Sequence, residues 1–166
     1  MNVNLIAEMS QDEIDKNFVN ATNSYRKRFP KILHSPGDEI NRVINFITKD
    51  SYMQPHLHPG IEKIEMIRIL HGSAAVVFFD NSGVICKSTI LKNGGLESIE
   101  VPAFTWHTYV MLTDYVITYE TMMGVYTPDT WKHLADWAPK EGSEISSEYL
   151  SLLRHDVLEM QQHRLV

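Results

Sequence analysis

Two histidines, His56 and His58 in the run Gln54-Pro55-His56-Leu57-His58, have the residue type and spacing to act together. On an extended strand residues two apart project from the same face, so the two imidazoles converge on one point. Pro59-Gly60 then turns the chain, and both Glu62 and Glu65 fall within reach on the returning strand. Because they are three apart, a regular strand points only one of them at the histidines, and Glu65 is preferred. Further on, Val101-Pro102-Ala103-Phe104-Thr105-Trp106-His107 sets a third histidine at the start of another strand, just past a proline-bearing turn. Three neutral imidazoles and one carboxylate suit a single divalent transition-metal ion, with room for water or substrate. Zn, Fe, Ni and Mn all accept such a set, and availability decides among them.

Other residues are candidates for substrate rather than metal. Arg26 and Arg28 carry guanidinium forks that fit a substrate carboxylate or phosphate, with solvated surface charge as the alternative. His34 divides between lining a pocket and making a structural hydrogen bond. Tyr109, Thr118 and Glu120 fall on strands expected to line the interior, Tyr109 as a substrate-binding candidate. Glu120, if it faces inward, is the candidate catalytic general base, and otherwise it is a rim residue. His71, His133, His155 and His163 read as ordinary core or surface histidines, and Trp106, Phe78 and Phe79 as core.

The elements that must position these residues follow from turn signals and hydrophobic period. Ser10 with Glu13 three residues later is a capped helix start. Tyr25 to Phe29 leads into Pro30, which suits a loop or an edge strand. Ile40, Val43, Ile44 and Ile47 recur at helical spacing after Ser35-Pro36-Gly37-Asp38, predicting a second helix. From about Ser51, β-branched and aromatic runs alternate with Pro59-Gly60, Asp80-Asn81-Ser82-Gly83 and Asn93-Gly94-Gly95. Strands are expected near 51–58, 62–70, 73–80, 84–91, 97–101, 106–112 and 115–123, a density that points to a sandwich or barrel. Helical pattern returns through Trp131 and Leu134, breaks at Pro139 to Gly142, and ends in an amphipathic helix with Tyr149, Leu150, Leu153 and Leu158. The expected division is an N-terminal helical and loop extension over 1–50, a β-barrel over 51–126 and a C-terminal helical extension over 127–166.

Composition narrows the class. At 166 residues and 43% hydrophobic content, the chain can bury roughly two-thirds of its unfolded surface in one core, so a single domain is expected. The net charge of −6 offers no broad basic surface for phosphates, which argues against nucleic acid. The N-terminus has neither a basic n-region nor a long apolar run, so a cytoplasmic protein without membrane insertion is expected. Cys86 is the sole cysteine, which excludes an intrachain disulfide and a cysteine zinc ribbon; it reads as a small apolar strand residue.

The histidine blocks resemble those of the cupin superfamily, His-x-His followed by a Glu and six residues to a Gly, and later Pro-x-Gly-x-x-His. Here they read His56-x-His58-x6-Glu65-x6-Gly72 and Pro102-x-Phe104-x-x-His107. The interval to Gly72 selects Glu65; Phe104 stands where the family has glycine, and the long interval from His58 keeps Glu62 as the lesser alternative. The order of Leu33-His34, Tyr52 to His58, Glu65 to Asp80, Ile99 to His107, Gly124-x-Tyr126-x-Pro128 and Trp137-Ala138-Pro139 is similar to the WbuC family of cupin-fold metalloproteins. That resemblance implies a mainly β, single-domain jelly-roll barrel, or double-stranded β-helix, with flanking N- and C-terminal helices. It also implies a role beside bacterial O-antigen biosynthesis, and thus a sugar or nucleotide-sugar substrate isomerised or epimerised with metal assistance. An Fe(II)-dependent dioxygenase and a non-enzymatic metal- or sugar-binding module are the alternatives. A homodimer is expected as for cupins generally, with Trp131, Trp137 and Tyr149 available to its interface.

Overall fold

Apolar runs broken by glycine turns build two sheets, seen in a computed structural model that describes residues 9–163. The opening segment read for targeting signals lies outside the described residues. Strands β1 (Arg28–Ile32), β2 (Ile40–Thr48), β3 (His56–Leu57), β4 (Glu65–His71) and β5 (Ser73–Phe79) are followed by β6 (Ile85–Lys92), β7 (Ser98–Val101), β8 (His107–Met111), β9 (Tyr115–Met123) and β10 (His133–Leu134). Helices α1 (Gln11–Asn23) and α2 (Ser146–Gln162) flank them. One sheet has the order β1-β2-β9-β4-β7 and the other β10-β3-β8-β5-β6, and every pairing is antiparallel. Pro30 sits on the edge strand β1, where its missing N–H costs no ladder bond.

The core lies between the sheets, with Ile47, Ile67 and Val116 of one meeting Val76, Leu91 and Met111 of the other. The alternate faces are buried too, because a helix covers each sheet. Leu150, Leu153 and Val157 of α2 pack on Ala75, Val77 and Val110. Ala21 of α1 packs beside Ile44, Phe46 and Ile117. Burial on both faces explains why β5 reads as an unbroken apolar run. Ser10 caps α1, its hydroxyl accepting from the Glu13 N–H. No helix among the described residues is long and apolar enough to cross a membrane.

Two expected helices are replaced by extended chain. Residues 40–48 form β2, paired along its whole length with β9. Ile40, Val43, Ile44 and Ile47 do meet a helical period, yet Ile40 is exposed while Ile44, Phe46 and Ile47 are fully buried, an arrangement set by a sheet covered on both sides. The barrel sheets therefore draw in chain from Arg28 onward. The segment through Trp131 and Leu134 is a strap carrying the two-residue β10, hydrogen-bonded to β3. Trp131, Trp137 and Tyr149 make contacts within the chain, with His58, Phe79 and Tyr52 respectively. Cys86 lies on β6 but is exposed.

Gly72 turns β4 into β5 at φ +78, and a Cβ there would stand 2.4 Å from the Tyr115 carbonyl oxygen and 2.5 Å from Thr113 Oγ1. Gly72→Ala should cost about 3 kcal/mol, from left-handed backbone plus collision; a shift of the urea midpoint measures it.

Candidate metal centre

Strand pairing brings the four predicted ligands together. His56 on β3 lies directly across from His107 on β8, so both side chains share a face, and His58 follows two residues on. Glu65 opens β4 in the opposite sheet. Two imidazoles thus come from one sheet and a third from the residue just past β3, while the carboxylate comes from the other sheet. One ligand atom from each of His56, His58, Glu65 and His107 lies within 4.8 Å of the others, and all four residues are buried. Glu62 is exposed and outside this group.

The imidazoles are locked in one tautomer. Nδ1 of His56 contacts the Gln54 carbonyl at 3.0 Å, Nδ1 of His58 the Trp131 carbonyl at 2.9 Å, and Nδ1 of His107 the Thr105 carbonyl at 2.9 Å. A carbonyl only accepts, so each Nδ1 carries the proton and each neutral ring turns its Nε2 lone pair inward. Glu65 Oε2 lies 3.1 Å from His107 Nε2 and 3.3 Å from His58 Nε2. The buried Nε2 of His58 has no hydrogen-bond partner. Four acceptors facing one another are repulsive unless a cation stands among them, and a divalent ion satisfies all four with the rings neutral. Burial holds His56 well below the usual histidine range, in keeping with a neutral ring. Burial opposes ionisation of Glu65, but the closeness of His107 and His58 outweighs it and holds the carboxyl well below its usual range, so the site offers a carboxylate.

Local geometry supports the ligands. Phe104, standing where the resemblance has glycine, adopts φ 58, and its N–H donates to the His58 carbonyl at 3.0 Å. The left-handed turn is kept although the residue that favours it is absent. The strap is stitched to β3 by the Ala135 N–H to the Pro55 carbonyl and by Gln54 Nε2 to the Ala135 carbonyl. Buried Lys63 donates to the Thr130 carbonyl and lies 5.0 Å from the centre of the Trp131 ring. The strap that orients His58 is thereby fixed from below.

Beside the cluster opens a cavity of about 450 Å³, a volume suited to a small molecule. Tyr109, Glu120, His34, Arg26 and Arg28 all line it. Tyr109 Oη is buried without a hydrogen-bond partner, and burial, then the Glu65 charge, keeps its phenol protonated well above 10. Burial first, then the Glu65 charge, pushes the Glu120 carboxyl up to about 7; Thr118 Oγ1 donates to its Oε1 at 2.7 Å. His34 also has the structural role, since its Nδ1 accepts from the Arg42 N–H at 3.0 Å. Arg26 and Arg28 are joined to Glu141, at 2.9 and 2.7 Å. His71, His133, His155 and His163 are not in the cluster. Reading 127–134 as helical concealed Trp131 and Lys132, which also line the cavity; Pro128-Asp129 followed by mixed basic and aromatic residues was the available sign of a loop.

Two antiparallel sheets closed over a buried set of three histidines and a glutamate define a cupin barrel. Oxalate decarboxylase from Lactobacillus farciminis, solved as a formate complex, matches with a TM-score of 0.51 at 18% identity, over 74% of this chain and 38% of that one. CapF, solved with the inhibitor 3-isopropenyl-tropolone, matches with a TM-score of 0.52 at 15% identity, over 64% of this chain and 34% of that one. The chain spans less than two-fifths of either, and at these identities the likeness is one of fold. No curated protein matches it significantly. The chain belongs to the family described as a domain of unknown function, DUF6016, whose family model matches residues 9–91.

Proposed function

We propose that the chain is a metal-dependent enzyme that isomerises or epimerises a small polar metabolite, of the sugar or nucleotide-sugar class, in the cavity beside His56, His58, Glu65 and His107. The observation that carries this reading is the convergence of three tautomer-locked imidazoles and a carboxylate on one wall of a cavity that also holds Glu120. A divalent ion held by the four would act as a Lewis acid on a carbonyl or hydroxyl. Glu120, with its carboxyl raised to about 7, is suited to take a proton from the carbon next to that carbonyl and to return it. Tyr109, protonated and without an internal partner, can donate to the substrate oxygen. The WbuC resemblance is what supports a sugar, and with it a place in surface-polysaccharide synthesis.

Incubating the metal-loaded protein with a panel of nucleotide-sugars in D₂O and following deuterium uptake by NMR tests the reading. Exchange at one carbon is expected, increasing as pH rises through about 7 and disappearing in Glu120→Gln. No exchange and no binding shift with any member would sink it. The same glutamate supplies a readout independent of turnover. Its folded-state pKa lies above the ordinary 4.5, so the folded chain holds the proton more tightly than the unfolded one, and stability falls as pH climbs from 4.5 through 7. Denaturant melts of Glu120→Gln should lack that slope. Because the same donor set accepts iron, oxygen consumption by Fe(II)-loaded protein with substrate would instead favour a dioxygenase.

A further inference from the structure

Three cations line the cavity: Arg26, Arg28 and Lys132. Two are already satisfied. Glu141 receives both guanidinium groups, and Arg28 Nη1 also donates to the Tyr52 carbonyl at 3.0 Å. Lys132, half-buried on the strap, makes no hydrogen bond or ion pair among the described residues. Of the carboxylates nearest in charge, Glu141 is held by the arginines and Glu65 by the histidines. An ammonium withdrawn from water without a partner is unfavourable, and an incoming anion would offset that cost. Two further groups in the same cavity lack partners, the Tyr109 hydroxyl, a donor, and Asn41 Oδ1, an acceptor. A hydroxylated ligand satisfies both.

The geometry points to a small hydroxylated anion as the ligand, its carboxylate or phosphate received by Lys132 at the strap and its hydroxyl end turned toward Tyr109, Asn41 and the histidine cluster. This assignment rests on the cavity being the substrate site and adds the charge of what enters it. Lysine, a point charge, takes either oxyanion, so the ligand's acid group is left to the test.

The probes are glycerate, glycerol phosphate and neutral glycerol, titrated by NMR into the full chain both metal-loaded and metal-free. One of the two anions should bind, and glycerol should not. Lys132→Met should weaken that binding by about tenfold to a hundredfold, the value of one charge-assisted hydrogen bond. Lys132→Arg should restore most of it, and metal content and melting temperature should match wild type in both variants. Equal anion affinity in Lys132→Met, binding of glycerol as tight as that of the anions, or silence with both anions overturns the assignment. Anion binding that depends on Lys132 in protein that takes up no metal would leave the ligand class standing and remove the metal. One bound metal with no anion binding would do the reverse.

Discussion

His58→Ala should abolish uptake of the single divalent ion that wild-type protein binds. Removing a group that merely orients a ligand costs about tenfold to a hundredfold in metal affinity, so losing a ligand should exceed a hundredfold. Alanine at His58 removes one hydrogen bond, from Nδ1 to the Trp131 carbonyl, but the strap it touches is also held through the Ala135 N–H and Gln54 Nε2, so folding should survive. Metal analysis after dialysis against a chelator, on protein purified without a histidine tag, reads the result. Retention of one ion at wild-type affinity would remove these residues as the site, and failure of wild type to take up Zn, Ni, Mn or Fe would remove the metal altogether.

Glu141→Ala should be strongly destabilising although it lies away from the metal cluster. Glu141 bridges Arg26 and Arg28, and Arg28 is only 8% exposed. Truncating the carboxylate strands a buried guanidinium, and breaking such a pair from one side costs about 3 kcal/mol or more. Glu141→Gln keeps an oxygen to accept from Arg28 and should lose less. Burial raises the Glu141 carboxyl, but the Arg28 charge and the hydrogen bonds from both arginines outweigh it and leave it below the ordinary 4.5. Its contribution is therefore complete above that value and is lost as pH falls through the lower, folded-state pKa. Urea midpoints at neutral and acid pH test both statements, and a neutral-pH change within about 0.5 kcal/mol would place Glu141 among ordinary surface residues.

These two residues mark what a one-dimensional reading finds and misses. His58 was legible because alternation along a strand is local: two histidines two apart, a turn, and a carboxylate on the return need no knowledge of distant chain. The strands from β4 to β9 were legible for the same reason, each bounded by its own turn residues. Arg28 presents in sequence only a charge that could reach substrate or solvent, because its partner lies 113 residues away in a stretch that looks like a linker. The β2 error has a related cause: isoleucines and valines spaced three and four apart satisfy a helical period, and only the covering of both sheet faces by α1 and the core decides otherwise. The significance of Lys132 is what it lacks, and the absence of a partner is a property of the folded chain that no local pattern carries.

The division of the donors, three histidines on or just past the strands of one sheet and a glutamate on the other, has a mechanical consequence. A cation among them would rivet the mouth of the barrel, since the sheets cannot part there without tearing Glu65 from the imidazoles. Each tenfold excess of free ion over its dissociation constant then adds about 1.4 kcal/mol to keeping the barrel shut, so the same four residues that serve chemistry would set how firmly the two halves of the fold are clamped.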